Sequence, residues 1–186
     1  MARLIYVTNV SLDGFIEDEH GGFEWTDPSD EYLAFITDVI RPVGTYLYGR
    51  RLYETMAVWE TDPALAAQSE LNAEFARVWQ AADKVVYSTT LDSVATARSR
   101  LERRFDADAI RVMKDAASRD LTIGGANIAA HAFGTRLVDE CHLFIHPYVV
   151  GRGKPSLPSD FRAQLELLDE RRFDNGVVYV RHRVPV

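Results

Sequence analysis

The sequence predicts one α/β domain built on a mainly parallel central sheet with an antiparallel hairpin at its C-terminal end, and three observations predict it. Apolar, β-rich runs alternate with segments of helical spacing, the order parallel strands require because each must be joined to the next by a long crossover, usually a helix. The C-terminal segment departs from this: Leu165 to Phe173, Asp174-Asn175-Gly176, then Val177 to Val184 reads as two strands joined by a turn. The 186 residues, 47% hydrophobic and 26% charged, suit one core, and a domain of that size buries about 70% of its unfolded surface. No repeat, low-complexity tract or linker-like stretch divides the chain, so residues 1–186 read as a single domain.

The elements follow in order. Leu4 to Val10 is a β-rich run, and Ser29 to Ile40 places Tyr32, Leu33, Phe35, Ile36, Val39 and Ile40 at helical spacing. Asp27-Pro28 supplies a turn or cap before that helix, and Pro42 with Gly44 closes its end. Thr45 to Tyr48 is a short strand; a long helical stretch lies near Leu65 to Ala82; Lys84 to Ser88 is a strand, Asp106 to Ala117 a helix, and Leu121 to Ile123 a strand with a helix from Asn127. The Asn-Gly pair of the final hairpin suits a type I′ turn, which needs two positive φ values.

Composition excludes several functions. A net charge of -7 gives no general attraction to phosphate backbones, and the arginines between Arg98 and Arg104, interleaved with Leu101 and Glu102, read as a solvated strand face. No partner nucleic acid or membrane is expected, since no apolar run approaches the ~20 residues a membrane helix needs. The N-terminal MARLIYVTNVSLDGF reads as a first strand rather than a signal peptide, which predicts a cytoplasmic protein. One cysteine, Cys141, excludes an intrachain disulfide and a CxxC zinc site, and its strand-like surroundings suit a buried thiol. His142 and His146, four apart on a presumed strand, stand about 13 Å from each other at ~3.3 Å per residue, so they do not chelate one ion. No metal site is expected.

In open α/β sheets ligands bind beyond the carboxyl ends of the strands, so the residues after each strand carry the information. Asn9 to Ile16 (NVSLDGFI) breaks its strand at Asp13-Gly14, as a turn or as part of a site. Gly49, in YGRRLYETM, lets a helix begin directly after a strand and present free N–H groups to an anion, with Arg50 and Arg51 adding charge there or merely solvated. Ser88, Thr89 and Thr90 offer hydroxyls that form turns or touch a ligand. Gly124-Gly125, in DLTIGGANIAAHAFG, follows an apolar strand and permits close approach to a phosphate, although neither GxGxxG nor GxxxxGK[ST] is present. Gly151-Arg152-Gly153, followed by Lys154-Pro155, reads as a loop.

Taken in order, SLDGFI, YGRRLYETM, VYSTTL, DLTIGGANIAAHAF, LVDECHLFIHPYVVGRGKPSLP and the closing hairpin resemble bacterial dihydrofolate reductase-like proteins. The similarity covers nearly the whole chain. It is nearer to the reductase domain of the bifunctional riboflavin-biosynthesis deaminase/reductase, and to its stand-alone relatives, than to dihydrofolate reductase. The zinc deaminase signature is absent, so the resemblance extends to the reductase half alone.

The resemblance implies the three-layer dihydrofolate reductase-like fold, a homodimer, and an NADPH-dependent oxidoreductase passing hydride to a small pterin- or pyrimidine-like heterocycle. A non-catalytic nucleotide-binding protein and a flavin-using relative are the alternatives. It assigns Arg50, with Ser88 and Thr89 beside it, to the cofactor's 2′-phosphate. Gly124 and Gly125, a cis bond between them, and the N–H groups of Ala126, Asn127 and Ile128 go to the nicotinamide and pyrophosphate side. Asn9, Ser11, Asp13 and Gly14 border the nicotinamide and its ribose. Leu52 stands where relatives usually carry Thr. In EWTDPSDEYLAF, Trp25 falls in the substrate pocket, and Asp30 or Glu31, with Asp27 close by, stands where the family keeps a proton-donating carboxylate. Acidic residues are equally at home in a first helical turn, and a catalytic one must face the cleft with a raised pKa.

Overall fold

The computed structural model describes residues 1–26 and 28–185, so Asp27, one of the three candidate acids and part of the expected Asp27-Pro28 cap, lies outside the described residues. β1 (Leu4–Ser11) turns at Asp13-Gly14 into a short β2 (Phe15–Asp18), and α1 (Asp30–Ile40) leads into β3 (Val43–Gly49). α2 (Arg50–Thr61), α3 (Pro63–Ala66) and α4 (Glu70–Ala81) carry the chain to β4 (Asp83–Tyr87) and β5 (Ser99–Glu102). α5 (Ala107–Ala116), β6 (Asp120–Gly124), α6 (Ala126–Gly134) and β7 (Glu140–His146) follow, then β8 (Gly153–Pro155) and the hairpin β9 (Glu166–Arg172) and β10 (Val178–Arg183).

The main sheet runs β5-β4-β3-β6-β1-β7-β10-β9. Its first six strands are parallel, while β10 lies antiparallel to both β7 and β9. Alternation along each strand sorts side chains to opposite faces. Leu47, Val85 and Ile123 pack with Ile110 of α5 and Ala129 and Phe133 of α6. On the other face Tyr46, Tyr48 and Val86 pack with Tyr53 of α2 and Phe75 and Trp79 of α4, and Phe144 and Tyr179 pack with Tyr32 and Phe35 of α1. Helices thus cover both faces, giving three layers.

Side chains mark where most helices start. Ser29 accepts from the Tyr32 N–H at α1, Asp62 caps α3, Ser69 caps α4 and Asp106 caps α5, each cap satisfying an N–H that the helix leaves free. The cap at Ser69 is why the stretch near Leu65 to Ala82 is two helices rather than one: Ser69 sits in extended backbone with its hydroxyl on Asn72 N.

Three further expectations need correction. Gly153–Pro155, read as loop, pairs antiparallel with β2. Its partner is remote in sequence, so no local pattern announces it. The final turn is not type I′. Only Gly176 of its two central residues has positive φ (+83°), and hydrogen bonds from Gly176 N to Phe173 O and from Phe173 N to Val177 O make it a longer loop with the glycine as bulge. No cis peptide bond occurs among the described residues, Gly124-Gly125 included; the unusual geometry there is a torsion, φ +98° and ψ 117° at Gly125.

Cys141 is fully buried and its thiol is pushed up to about 12 by desolvation, as a structural thiol should be. His142 and His146 hold separate partners, Glu140 with Tyr179 and Asn9 respectively.

Candidate active site

Two helices differ from the rest. α2 begins at Gly49 and α6 at Gly125, and neither has a side-chain cap, so the first N–H groups of both are left for an external acceptor. The two starts abut. β3 and β6 are neighbours with Tyr48 opposite Gly124, and a Cβ built on Gly125 would stand 3.5 Å from Gly49 N and 3.6 Å from its Cα. Two convergent helix N-termini at the carboxyl ends of adjacent parallel strands form a cradle for an anion. Ala126 and Asn127 border it, with Asn127 exposed, whereas Ile128 is buried and packs into the core beneath. Leu52 fills the face of Gly124 that a side chain would occupy: a Cβ there would collide with Leu52 Cδ2.

The neighbouring arginines diverge, as consecutive helical residues must. Arg50 Nη1 donates to Thr90 Oγ1 (2.9 Å) and Nε to Glu54 (2.9 Å). Ser88 spends its hydroxyl accepting from the N–H groups of Thr90 and Leu91, which folds its loop back toward α2. Thr90, rather than the expected Thr89, therefore meets Arg50. Arg103, which the sequence left among solvated arginines, braces the same loop by donating to Ser88 O and Leu91 O. Arg51 turns the other way, to Glu17 on β2 (3.1 Å).

Asp13 ties two loops together. Its carboxylate accepts from Ser11 Oγ (2.7 Å), Val150 N (3.0 Å) and Gly151 N (2.7 Å), and these donors hold it down to about 2. Gly14, at φ +94°, makes the turn and accepts from Ser156 N. The β2–β8 ribbon so anchored faces the start of α6 across a cavity of about 620 Å³ lined by Phe15, Glu17, Asn127, Arg152 and Lys154.

At the ends of β1 and β7 lies a polar cluster. Tyr32 of α1 donates to Asn9 Oδ1 (2.7 Å), and His146 Nε2 lies 3.0 Å from the same oxygen. Burial lowers the His146 pKa, which keeps the ring neutral. The Trp25 ring meets His146 edge-on at 5.4 Å and runs parallel to Tyr148. Its Nε1 is buried without a hydrogen-bond partner, an omission that costs roughly 1–3 kcal/mol unless something supplies an acceptor. Sequence reasoning missed His146 because the only role weighed for it was metal binding.

Neither of the two described candidate acids bonds to this cluster. Glu31 accepts from Arg171 (2.6 Å) and Asp174 N (3.1 Å), contacts to the β9–β10 hairpin that lower its pKa. A general acid needs the opposite shift and a place in the cleft. Asp30 is exposed in the first turn of α1, where a negative charge suits the helix dipole.

Three layers around a mostly parallel sheet closed by an antiparallel hairpin form a dihydrofolate reductase-like fold. Residues 2–179 match the RibD C-terminal domain, and the chain belongs to that family. It is 28% identical over 181 residues to the uncharacterized protein YyaP of Bacillus subtilis, covering 96% of this chain and 93% of that protein. Two solved structures share the fold over all of this chain. One is a protein assigned to riboflavin biosynthesis in Shewanella sp. PV-4, covered in full, with TM-score 0.76 and 18% identity. The other is a pyrimidine reductase-like protein of Corynebacterium diphtheriae, 92% covered, with TM-score 0.64 and 12% identity. The chain also matches 57% of a Thermotoga maritima diaminohydroxyphosphoribosylaminopyrimidine deaminase/5-amino-6-(5-phosphoribosylamino)uracil reductase, with 99% of its own length, TM-score 0.64 and 15% identity.

Proposed function

We propose that this protein is an NADPH-dependent reductase of a small pyrimidine-like heterocycle. The observation that carries the reading is the pair of uncapped helix starts meeting at Gly49 and Gly125, with Arg50 beyond them. The cradle suits a dinucleotide: its free N–H groups would take the pyrophosphate, and a side chain at Gly125 would intrude on it. Arg50 with Thr90 and the Ser88 loop would take a 2′-phosphate, which separates NADPH from NADH. The bound cofactor supplies the hydride.

The protein's own residues then bind, orient and exclude water. The Asp13 knot fixes the loops at the ends of β1 and β7, and Trp25, His146 and Asn9 cluster at the ends of the same strands, where they would orient a ring. Such positioning accounts for much of catalysis when little covalent chemistry is asked of the protein. The family and the pyrimidine reductase-like neighbours support a ring of that class. Fluorescence titration with NADPH, NADH and flavin mononucleotide tests the cofactor: NADPH should bind at least about ten-fold more tightly than NADH. Equal affinities, or preference for the flavin, would overturn the reading.

A further inference from the structure

α6 ends in a turn that carries an unfavourable residue. Arg136 N donates to Phe133 O (3.1 Å) and Leu137 N to Ala132 O (2.9 Å), a pairing that puts the residue after the helix cap in left-handed backbone, where glycine is the usual choice. Arg136 stands there instead, at φ +54°. Strain kept where glycine would relieve it points to a use for the side chain. Arg136 lines a cavity of about 470 Å³ between the end of α6, the β8–β9 loop and the Val184-Pro185 segment. Phe133, Val138, Phe161 and Val184 give the cavity an apolar wall, in which the Phe161 and Phe133 rings meet at 4.7 Å. Arg162 is its second cation and Asp160 its one carboxylate. Neither guanidinium has an ion pair or a side-chain hydrogen bond among the described residues. Arginines close to them do: Arg111 holds Asp108 and Thr135 O, and Arg183, beside Val184, holds Glu166.

We propose that this cavity is a second ligand site, one that takes a small aromatic monocarboxylate. The ring would lie against Phe133 and Phe161, and the carboxylate would take the forked N–H groups of Arg136 and Arg162, whose geometry suits it. Two cations against one carboxylate are balanced by a monoanion, whereas a dianion would leave a charge over beside Asp160. A bare inorganic anion would leave the apolar wall in water, and a neutral ring would cover both guanidiniums without giving them an acceptor. α6 separates this site from the anion cradle: its nine residues rise about 13 Å from Gly125 to the cavity. Binding here therefore stands or falls apart from the reductase reading.

The test uses 2-naphthoate, its uncharged isostere 2-naphthamide, and acetate, which has the charge without the ring. In amide-resolved NMR titrations naphthoate should shift residues 134–138 and 161–163, which border the cavity, and acetate should not. Naphthoate should bind at least about ten-fold more tightly than naphthamide. Arg136→Gly suits the left-handed turn, so it removes the guanidinium and keeps the fold; it should weaken naphthoate about ten-fold and leave naphthamide unchanged. Arg162→Gln should do the same, a check independent of how Arg136→Gly behaves. NADPH should leave the naphthoate Kd unchanged, since cradle and cavity lie at opposite ends of α6. Equal binding of naphthoate and naphthamide, no shift at these amides at about 10 mM naphthoate, or an affinity that survives both substitutions would overturn the site. Displacement of naphthoate by NADPH would overturn it too, by placing the ligand in the cradle, and would leave the reductase reading intact.

Discussion

Gly125→Ala is the most direct test of the anion cradle. At φ +98° and ψ 117° Gly125 occupies backbone that residues with a Cβ rarely adopt, and holding alanine there costs on the order of 1–3 kcal/mol. For a domain of this length each kcal/mol lowers the melting temperature by about 2–4 °C, so a fall of roughly 2–12 °C is expected. The new methyl does not clash, since it would stand 3.5 Å from Gly49 N and 3.6 Å from Gly49 Cα. It instead occupies the space between the two helix starts, through which a phosphate must approach. Losing one charge-assisted hydrogen bond, worth ~1.5–3 kcal/mol, weakens NADPH by about one to two decades. Gly134→Ala is the control. Nothing lies within 4 Å of its Cβ position and its φ is not positive, so alanine there should leave NADPH affinity unchanged and stabilise the fold by about 0.4–1 kcal/mol. Thermal melts and fluorescence titrations of the three proteins decide the matter. A Gly125→Ala protein that melts with the parent and binds NADPH equally would refute the argument.

Other outcomes follow from the same structure. Arg50→Ala should cut the NADPH over NADH preference by about ten-fold or more while leaving NADH affinity unchanged, which paired titrations measure; an intact preference would remove Arg50 from the 2′-phosphate. Glu140, buried among Arg3, Arg181 and His142, is held down to about 2 by their hydrogen bonds against the cost of burial. A carboxylate depressed in the folded state stabilises it above the unfolded pKa of about 4.3 and loses that contribution as pH falls toward 2. The displacement corresponds to roughly 3 kcal/mol, which solvent screening at the partly exposed Arg3 and Arg181 reduces to about 1–2. Urea melts of Glu140→Gln against the parent should therefore show a stability gap at pH 7 that narrows between pH 4 and pH 2. Dihydrofolate should turn over well below the typical ~10 per second, and Glu31→Gln should leave any NADPH oxidation within about two-fold of the parent. Fast dihydrofolate turnover that collapses in Glu31→Gln would place Glu31 in the cleft after all.

Local chemistry made much of the architecture legible in advance. Ser29 before an amphipathic run, apolar strands ending in glycine at Gly49 and Gly124, and a turn at Asp174 to Gly176 carry their signals within a few residues, because capping, periodicity and positive φ are short-range constraints. The uncapped helix starts at Gly49 and Gly125 were readable for the same reason. The ends of parallel strands are where such folds bind, and a glycine without a capping side chain leaves its helix start open. What the sequence could not decide was which groups meet across the chain. Thr90 instead of Thr89 reaches Arg50 because Ser88 turns its own loop. Glu31 lies close in sequence to Trp25, yet it faces Arg171 on a hairpin 140 residues away. Asn9 gains its orientation from Tyr32 and from His146, 137 residues distant. The sequence by itself determined most strands and helices of the main sheet and the open glycine starts, since those depend on near neighbours. Only the tertiary structure decided the proton partners within the polar cluster at the ends of β1 and β7, since hydrogen bonds between distant elements follow from how the sheet brings β1, β7 and α1 together.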